Sequence, residues 1–156
     1  MMADVPLSVR VATAADTERF GEWFGTRIPD GCCVVISGPL GAGKTTLVRG
    51  ICRGLGVLDP VTSPTYILCD IFQGRCEVAH VDLYRLEHES EIEALGVFDM
   101  VGTAVILAEW GERSPGLLEE SDVVIHLDPT PGRARNITLK CKAVVAESLE
   151  GIDEWS

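Results

Sequence analysis

Cys32-Cys33-Val34-Val35-Ile36-Ser37-Gly38-Pro39-Leu40-Gly41-Ala42-Gly43-Lys44-Thr45-Thr46 runs from an unbroken apolar segment through a glycine-rich turn into a helix-like pattern carried on by Leu47, Val48, Ile51 and Leu55. Its centre, Gly38 to Thr45, matches G-x-x-x-x-G-K-[ST] in full, and the pattern has physical meaning only between a strand and a helix. A phosphate chain needs successive backbone N–H groups turned inward, and Gly38, Gly41 and Gly43 allow the backbone to curl and approach closely. Lys44 is placed to meet the β- and γ-phosphates. Thr45 opens the helix, where its hydroxyl can ligate Mg²⁺ while the helix N-terminus adds partial positive charge. Thr46 is the second choice as a ligand, and Leu40 and Ala42 contribute backbone to the same cradle. The chain is therefore expected to bind a nucleoside triphosphate.

Working outward, Thr13 and Asp16 form a capping-box-like start, and Thr17, Phe20, Phe24 and Ile28 recur at helical spacing after a short opening strand. Pro29-Asp30-Gly31 stops that helix, and the helix after the phosphate loop should end near Gly54 or Gly56. Residues 66–72 and 76–83 suit two strands joined by the hairpin turn Gln73-Gly74-Arg75. Residues 89–95 read as a short helix stopped by Gly96. Ala104-Val105-Ile106-Leu107-Ala108 reads as a strand covered on both faces, and 122–127 and 134–141 supply two more. The expected architecture is α/β: a P-loop NTPase-like mixed sheet flanked by helices in three layers, with one antiparallel hairpin. A single domain over 1–146 is expected, followed by an acidic tail over 147–156.

Composition narrows the function. The chain has 156 residues, 46% of them hydrophobic, enough to bury one real core. A formal net charge of −11 opposes a broad basic surface for nucleic acid, so any tRNA contact is expected to be indirect, with a local patch at Arg85, Arg133 or Arg135 as the exception. No apolar stretch approaches a membrane span and residues 1–10 lack a signal-peptide pattern, so a cytoplasmic protein without a membrane partner is expected. The six cysteines include no C-x-x-C pair and read as reduced core thiols, with Cys69 and Cys76 placed to approach across the hairpin; no zinc site is expected.

Phosphoryl transfer also needs acids near the metal and a group to position the nucleophile. Asp82 and Glu109 each follow an apolar strand and either could project toward the nucleotide, one holding Mg²⁺ and the other orienting or deprotonating water. Ser63 and Thr65, in the doubly proline-restricted 60–66 loop, are candidate γ-phosphate sensors. Asn136 is the only asparagine and is followed by isoleucine, so a guanine-reading N-K-x-D motif is absent and ATP is the expected nucleotide. Trp110 reads as packing or as a stacking surface. His80 and His126, in strand patterns, read as structural.

Taken in series, Gly38 to Thr45, Ser63-Pro64-Thr65-Tyr66, His80-Val81-Asp82-Leu83-Tyr84-Arg85-Leu86, Glu93-Ala94-Leu95-Gly96 and Glu109-Trp110 resemble the TsaE (YjeE) family of bacterial ATPases. The resemblance implies a small Mg²⁺-dependent P-loop ATPase required for threonylcarbamoyladenosine modification at position 37 of tRNA, acting with a TsaD–TsaB complex. It implies Lys44 and Thr45 as phosphate and Mg²⁺ ligands, Glu109 as a metal-site acid, Asp82 as a catalytic acid and Thr65 as a switch-loop residue. Trp110 and Tyr84-Arg85 match functional-region positions without an assigned role. The chain departs from the family pattern at Pro39, where Asp is common, and at Cys69-Asp70-Ile71-Phe72, which lacks a frequent tyrosine. Two other readings remain at this stage: a nucleotide-gated interaction module with incidental hydrolysis, and a small-molecule kinase, the latter lacking any evident lid or acceptor region.

Overall fold

The computed structural model describes residues 6–62 and 68–155. In chain order these form β1 (Leu7–Val11), α1 (Ala14–Arg27), β2 (Cys33–Ser37), α2 (Lys44–Gly54), β3 (Cys69–Gln73), β4 (Glu77–Asp82), α3 (Ser90–Ala94), β5 (Val105–Glu109), α4 (Pro115–Glu120), β6 (Val123–Pro129), β7 (Arg135–Cys141) and α5 (Ala143–Ser148). The strands make one seven-stranded sheet in the order β1-β7-β6-β2-β5-β4-β3. β2, β4, β5 and β6 are mutually parallel, while β1, β3 and β7 run antiparallel to their neighbours. The expected β3–β4 hairpin is present, with Cys69 opposite Val81 and Gln73 opposite Glu77.

Two apolar clusters cover the sheet, which gives the three layers. One joins Phe20 and Phe24 of α1 and Leu47, Val48 and Ile51 of α2 to Val34, Ile36, Leu107 and Ile125 of the strands. The other joins Cys33, Ala79, Val81, Ile106 and Ala108 to Ile92 of α3 and Leu117 of α4. Cys32 and Cys33 fall in different clusters, as alternation along a strand requires. Burial pushes the Cys33 and Cys52 thiols up to about 12, so both are inert hydrophobes at neutral pH.

The first helix starts where the cap predicts: the Thr13 hydroxyl accepts from the Asp16 N–H at 3.1 Å. The α4 helix has no apolar periodicity long enough to announce it. Its signal is Ser114-Pro115, with Ser114 capping the Leu117 N–H at 3.1 Å and proline in the first turn. The residues read as an acidic tail are packed instead. The boundary at 146/147 falls inside α5, and Val145, Leu149 and Ile152 are buried because they recur at helical spacing between the exposed Glu147, Glu150, Asp153 and Glu154. Trp155 closes the segment edge-on against Phe20, with ring centroids 5.5 Å apart.

The contact that sets the position of α2 is a glycine seam. A Cβ on Gly25 would sit 2.3 Å from the Ile51 carbonyl oxygen, and one on Gly50 would sit 2.2 Å from that of Glu18. Alanine normally gains about 1 kcal/mol over glycine inside a helix. Here both new methyls meet backbone that has nowhere to go, so Gly25→Ala and Gly50→Ala are each expected to lower stability by about 1–3 kcal/mol, the reverse of the propensity rule. Chemical denaturation of the two variants checks the sign.

Candidate functional site

Register brings the acids to the glycine-rich 38–45 loop. In the parallel sheet Glu109 lies beside Ile36 on one side and Asp82 on the other, so both carboxylates share a sheet face with Ile36, the face covered by α1 and α2. All three stand at the carboxyl ends of their strands, where open α/β sheets bind ligands. Gly38 begins the loop where a Cβ would sit 2.6 Å from the Leu127 carbonyl oxygen. Gly43 ends it at φ 98°, a left-handed conformation with no side-chain cap, so no side chain competes for the first N–H groups of α2.

At the start of α2 the Thr45 hydroxyl donates to Glu109 Oε1 at 2.9 Å and lies 3.2 Å from Oε2. Glu109 is 3% exposed. Its Oε2 also lies 2.6 Å from Nε2 of His80, which is fully buried on β4 two residues before Asp82. The Lys44 ammonium donates to the carbonyls of Gly38 at 2.7 Å and Pro39 at 2.8 Å and stands 4.2 Å from the centre of the Trp110 ring. Burial lowers its pKa, and the carboxylates of Glu109, Glu112 and Asp82 oppose that shift. Trp110 itself adopts φ 57°, the one non-glycine positive φ among the described residues, and its ring leans on Tyr84 at 5.2 Å.

These groups line a cleft of about 370 Å³ between the loop, Asp82, Tyr84 and Trp110. A hydroxyl and a carboxylate are hard oxygen donors, and the pair suits a small cation such as Mg²⁺ that keeps several waters and completes its shell from phosphate. A second cavity of about 240 Å³ lies on the other side of the loop, sharing Gly41, Gly43 and Thr46 and walled by Ala14, Thr17, Arg133 and Arg135. There Arg135 Nε donates to the Ala42 carbonyl at 3.1 Å, which ties β7 to the loop.

The family model for "Threonylcarbamoyl adenosine biosynthesis protein TsaE" matches residues 11–137, spanning the loop, both acids and the second cavity. The chain belongs to the TsaE family. The tRNA threonylcarbamoyladenosine biosynthesis protein TsaE of Treponema pallidum is 39% identical over 128 residues, covering 81% of this chain and 95% of that protein. The TsaE protein of Haemophilus influenzae is 42% identical over 119 residues, covering 74% of each. The crystal structure of Bacillus subtilis YdiB superposes with a TM-score of 0.72 over 99% of this chain and 97% of that one, at 23% identity, and supports the fold.

Within this TsaE-family framework Gly41, Gly43, Lys44, Thr45, Asp82 and Glu109 converge on one cleft, and Leu40, Ala42 and Thr46 belong to the same loop and its two cavities. Ser63 and Thr65 lie outside the described residues. His80, expected to be structural, touches Glu109; the sequence signal for this is its i, i+2 spacing from Asp82, which puts both on one face of a strand. His126, by contrast, ties the end of β2 to β6 through Ser37 Oγ at 2.7 Å and lies on no wall of either cavity. Arg133 and Arg135 are walls of the second cavity rather than an open basic patch.

Asp82 is set apart from Glu109 by its surroundings. Its Oδ1 accepts the Tyr84 N–H at 3.0 Å, and partial burial followed by the nearby Glu109 carboxylate raises its pKa against that hydrogen bond. A carboxyl whose folded pKa is raised favours the native state at low pH and loses that contribution as pH rises through the folded value. Asp82→Asn keeps the acceptor for Tyr84 and removes the charge. In metal-free buffer at pH 7 the variant is therefore expected to melt at the same temperature as the parent or higher, with the difference shrinking as pH falls toward the ordinary carboxylate range. Calorimetric melts of both proteins from pH 4 to 8 check this.

Proposed function

We propose that this chain is a Mg²⁺-dependent ATPase that serves threonylcarbamoyladenosine modification of tRNA together with a TsaD–TsaB type complex. The observation that carries the reading is the Thr45–Glu109 hydrogen bond at the mouth of the phosphate loop, which joins the loop's hydroxyl to a buried strand-end carboxylate. Membership of the TsaE family and the names of its relatives supply the pathway.

The two cavities fit the two ends of a nucleotide. Phosphates lie over Gly41 to Thr45, against the α2 N-terminus and Lys44, whose ammonium meets the anionic oxygens. Thr45 and Glu109 hold the metal, and bound Mg²⁺ supplies charge neutralisation on those oxygens. Asp82 takes the other acid role. It is the more exposed of the pair, and burial raises its pKa from the ordinary carboxylate value, which favours proton acceptance, so it orients and deprotonates the attacking water. Trp110 and Tyr84 cover the cleft and limit water around the reacting phosphate. The base falls in the second cavity between Thr17 and Arg135. The net charge of −11 supports tRNA binding by the partner complex rather than by this chain.

Phosphate release from ATP, alone and with a TsaD–TsaB pair, tests the assignment. Slow basal turnover is expected, stimulated by the pair and lowered about 100-fold or more in Lys44→Ala. Turnover indifferent to the pair, or persisting in Lys44→Ala, overturns it. The placement of the base has its own check. Ala14→Phe narrows the second cavity without touching the phosphate side, so it should weaken ATP binding while inorganic triphosphate binds as before, as calorimetric titration can read.

A further inference from the structure

Among the described residues, His80 is the one buried ionisable group beside the site that the proposed reaction leaves without a task. Its imidazole is fully buried on β4, with Nε2 2.6 Å from Glu109 Oε2. Among the described residues its Nδ1 has no hydrogen-bond partner. An unpartnered buried nitrogen costs stability, and a buried polar pair is on balance no better for stability than an apolar pair of the same volume. Packing alone therefore gives no reason for histidine at this position.

The geometry supplies one. The last torsion of a glutamate is broad and roughly two-fold, so a carboxylate held at a single oxygen still swings about its own axis. Glu109 is held at both. Thr45 Oγ1 is closest to Oε1 and His80 Nε2 is on Oε2, which fixes the plane of the group where it lines the cleft. For a carboxylate to accept this bond the imidazole carries its proton on Nε2, leaving Nδ1 as the bare nitrogen, which matches the unpartnered atom.

We propose that His80 is a positioning residue for the ATPase reaction: its Nε2–H locks the Glu109 carboxylate in the orientation that Thr45 and Glu109 together need to hold the metal. The inference rests on the nucleotide and metal reading above and deepens it. Partners of this outer kind govern metal affinity because they set the direction of the ligand that touches the metal.

The test compares the parent with His80→Phe, which keeps a ring and loses the donor, and His80→Gln, whose terminal amide nitrogen falls where Nε2 stands. Calorimetric titration with a non-hydrolysable ATP analogue, with and without Mg²⁺, is read alongside melting temperature in metal-free buffer. Expected are equal affinities for all three without Mg²⁺, a gain on adding Mg²⁺ that shrinks about 10–100-fold in His80→Phe, and restoration of most of that gain in His80→Gln. If His80→Phe does not fold, His80→Asn replaces it, since its shorter amide falls at the place of Nδ1 and does not reach Glu109. A donor-less variant that keeps the full Mg²⁺ gain, or a His80→Gln as defective as His80→Phe, overturns the proposal while leaving the ATPase assignment intact. A parent protein with no Mg²⁺ gain overturns the metal reading and this inference together.

Discussion

A carboxylate at the end of an otherwise apolar central strand is the constraint around which the rest of the molecule is arranged. Val105 to Ala108 are fully buried hydrophobes, and Glu109, next in line, is nearly as buried. A charge in that position is tolerable only if its oxygens are occupied. Occupying them takes two separate pieces of chain, a hydroxyl at the head of α2 and an imidazole on β4, while the ammonium of Lys44, next to that hydroxyl in the chain, is close enough to be felt electrostatically. The loop that could hold a phosphate chain and the strand end that could hold a metal are thus pinned to one another before any ligand is considered.

What delivers Thr45 to that carboxylate is backbone packing far from it. The α2 helix is pressed against α1 through glycines on both helices, so its axis is fixed by main chain meeting main chain rather than by side chains that could repack. The α1 helix is in turn gripped by the C-terminal segment through Phe20, Trp23 and Trp155. The position of one hydroxyl at the cleft is therefore set by a chain of contacts that reaches the last described residues.

Much of this was legible in the sequence because the controlling signals were local. The phosphate loop, the Thr13 cap, the Gln73-Gly74-Arg75 turn and the unbroken run before Glu109 each state their geometry in a few consecutive residues. The rest was not local. The order of the strands, which puts β5 between β2 and β4 and so sets Glu109 between Ile36 and Asp82, is a matter of tertiary pairing. The His80 contact follows from that order and cannot be read from β4 alone. The C-terminal acids looked like a solvated run because four carboxylates dominate the composition there, while the three buried apolar residues that dock the segment are spaced too sparsely to stand out.

Trp110 carries a conflict that no substitution resolves. Its left-handed backbone costs roughly 1–2 kcal/mol for a residue with a Cβ, and glycine would remove that cost. Only a large aromatic on that backbone, however, can stand over Lys44 and against Tyr84. The contacts of its ring with Lys44, Tyr84 and the apolar cluster on that face of the sheet offset the strain, so the tryptophan ties one wall of the cleft to the core.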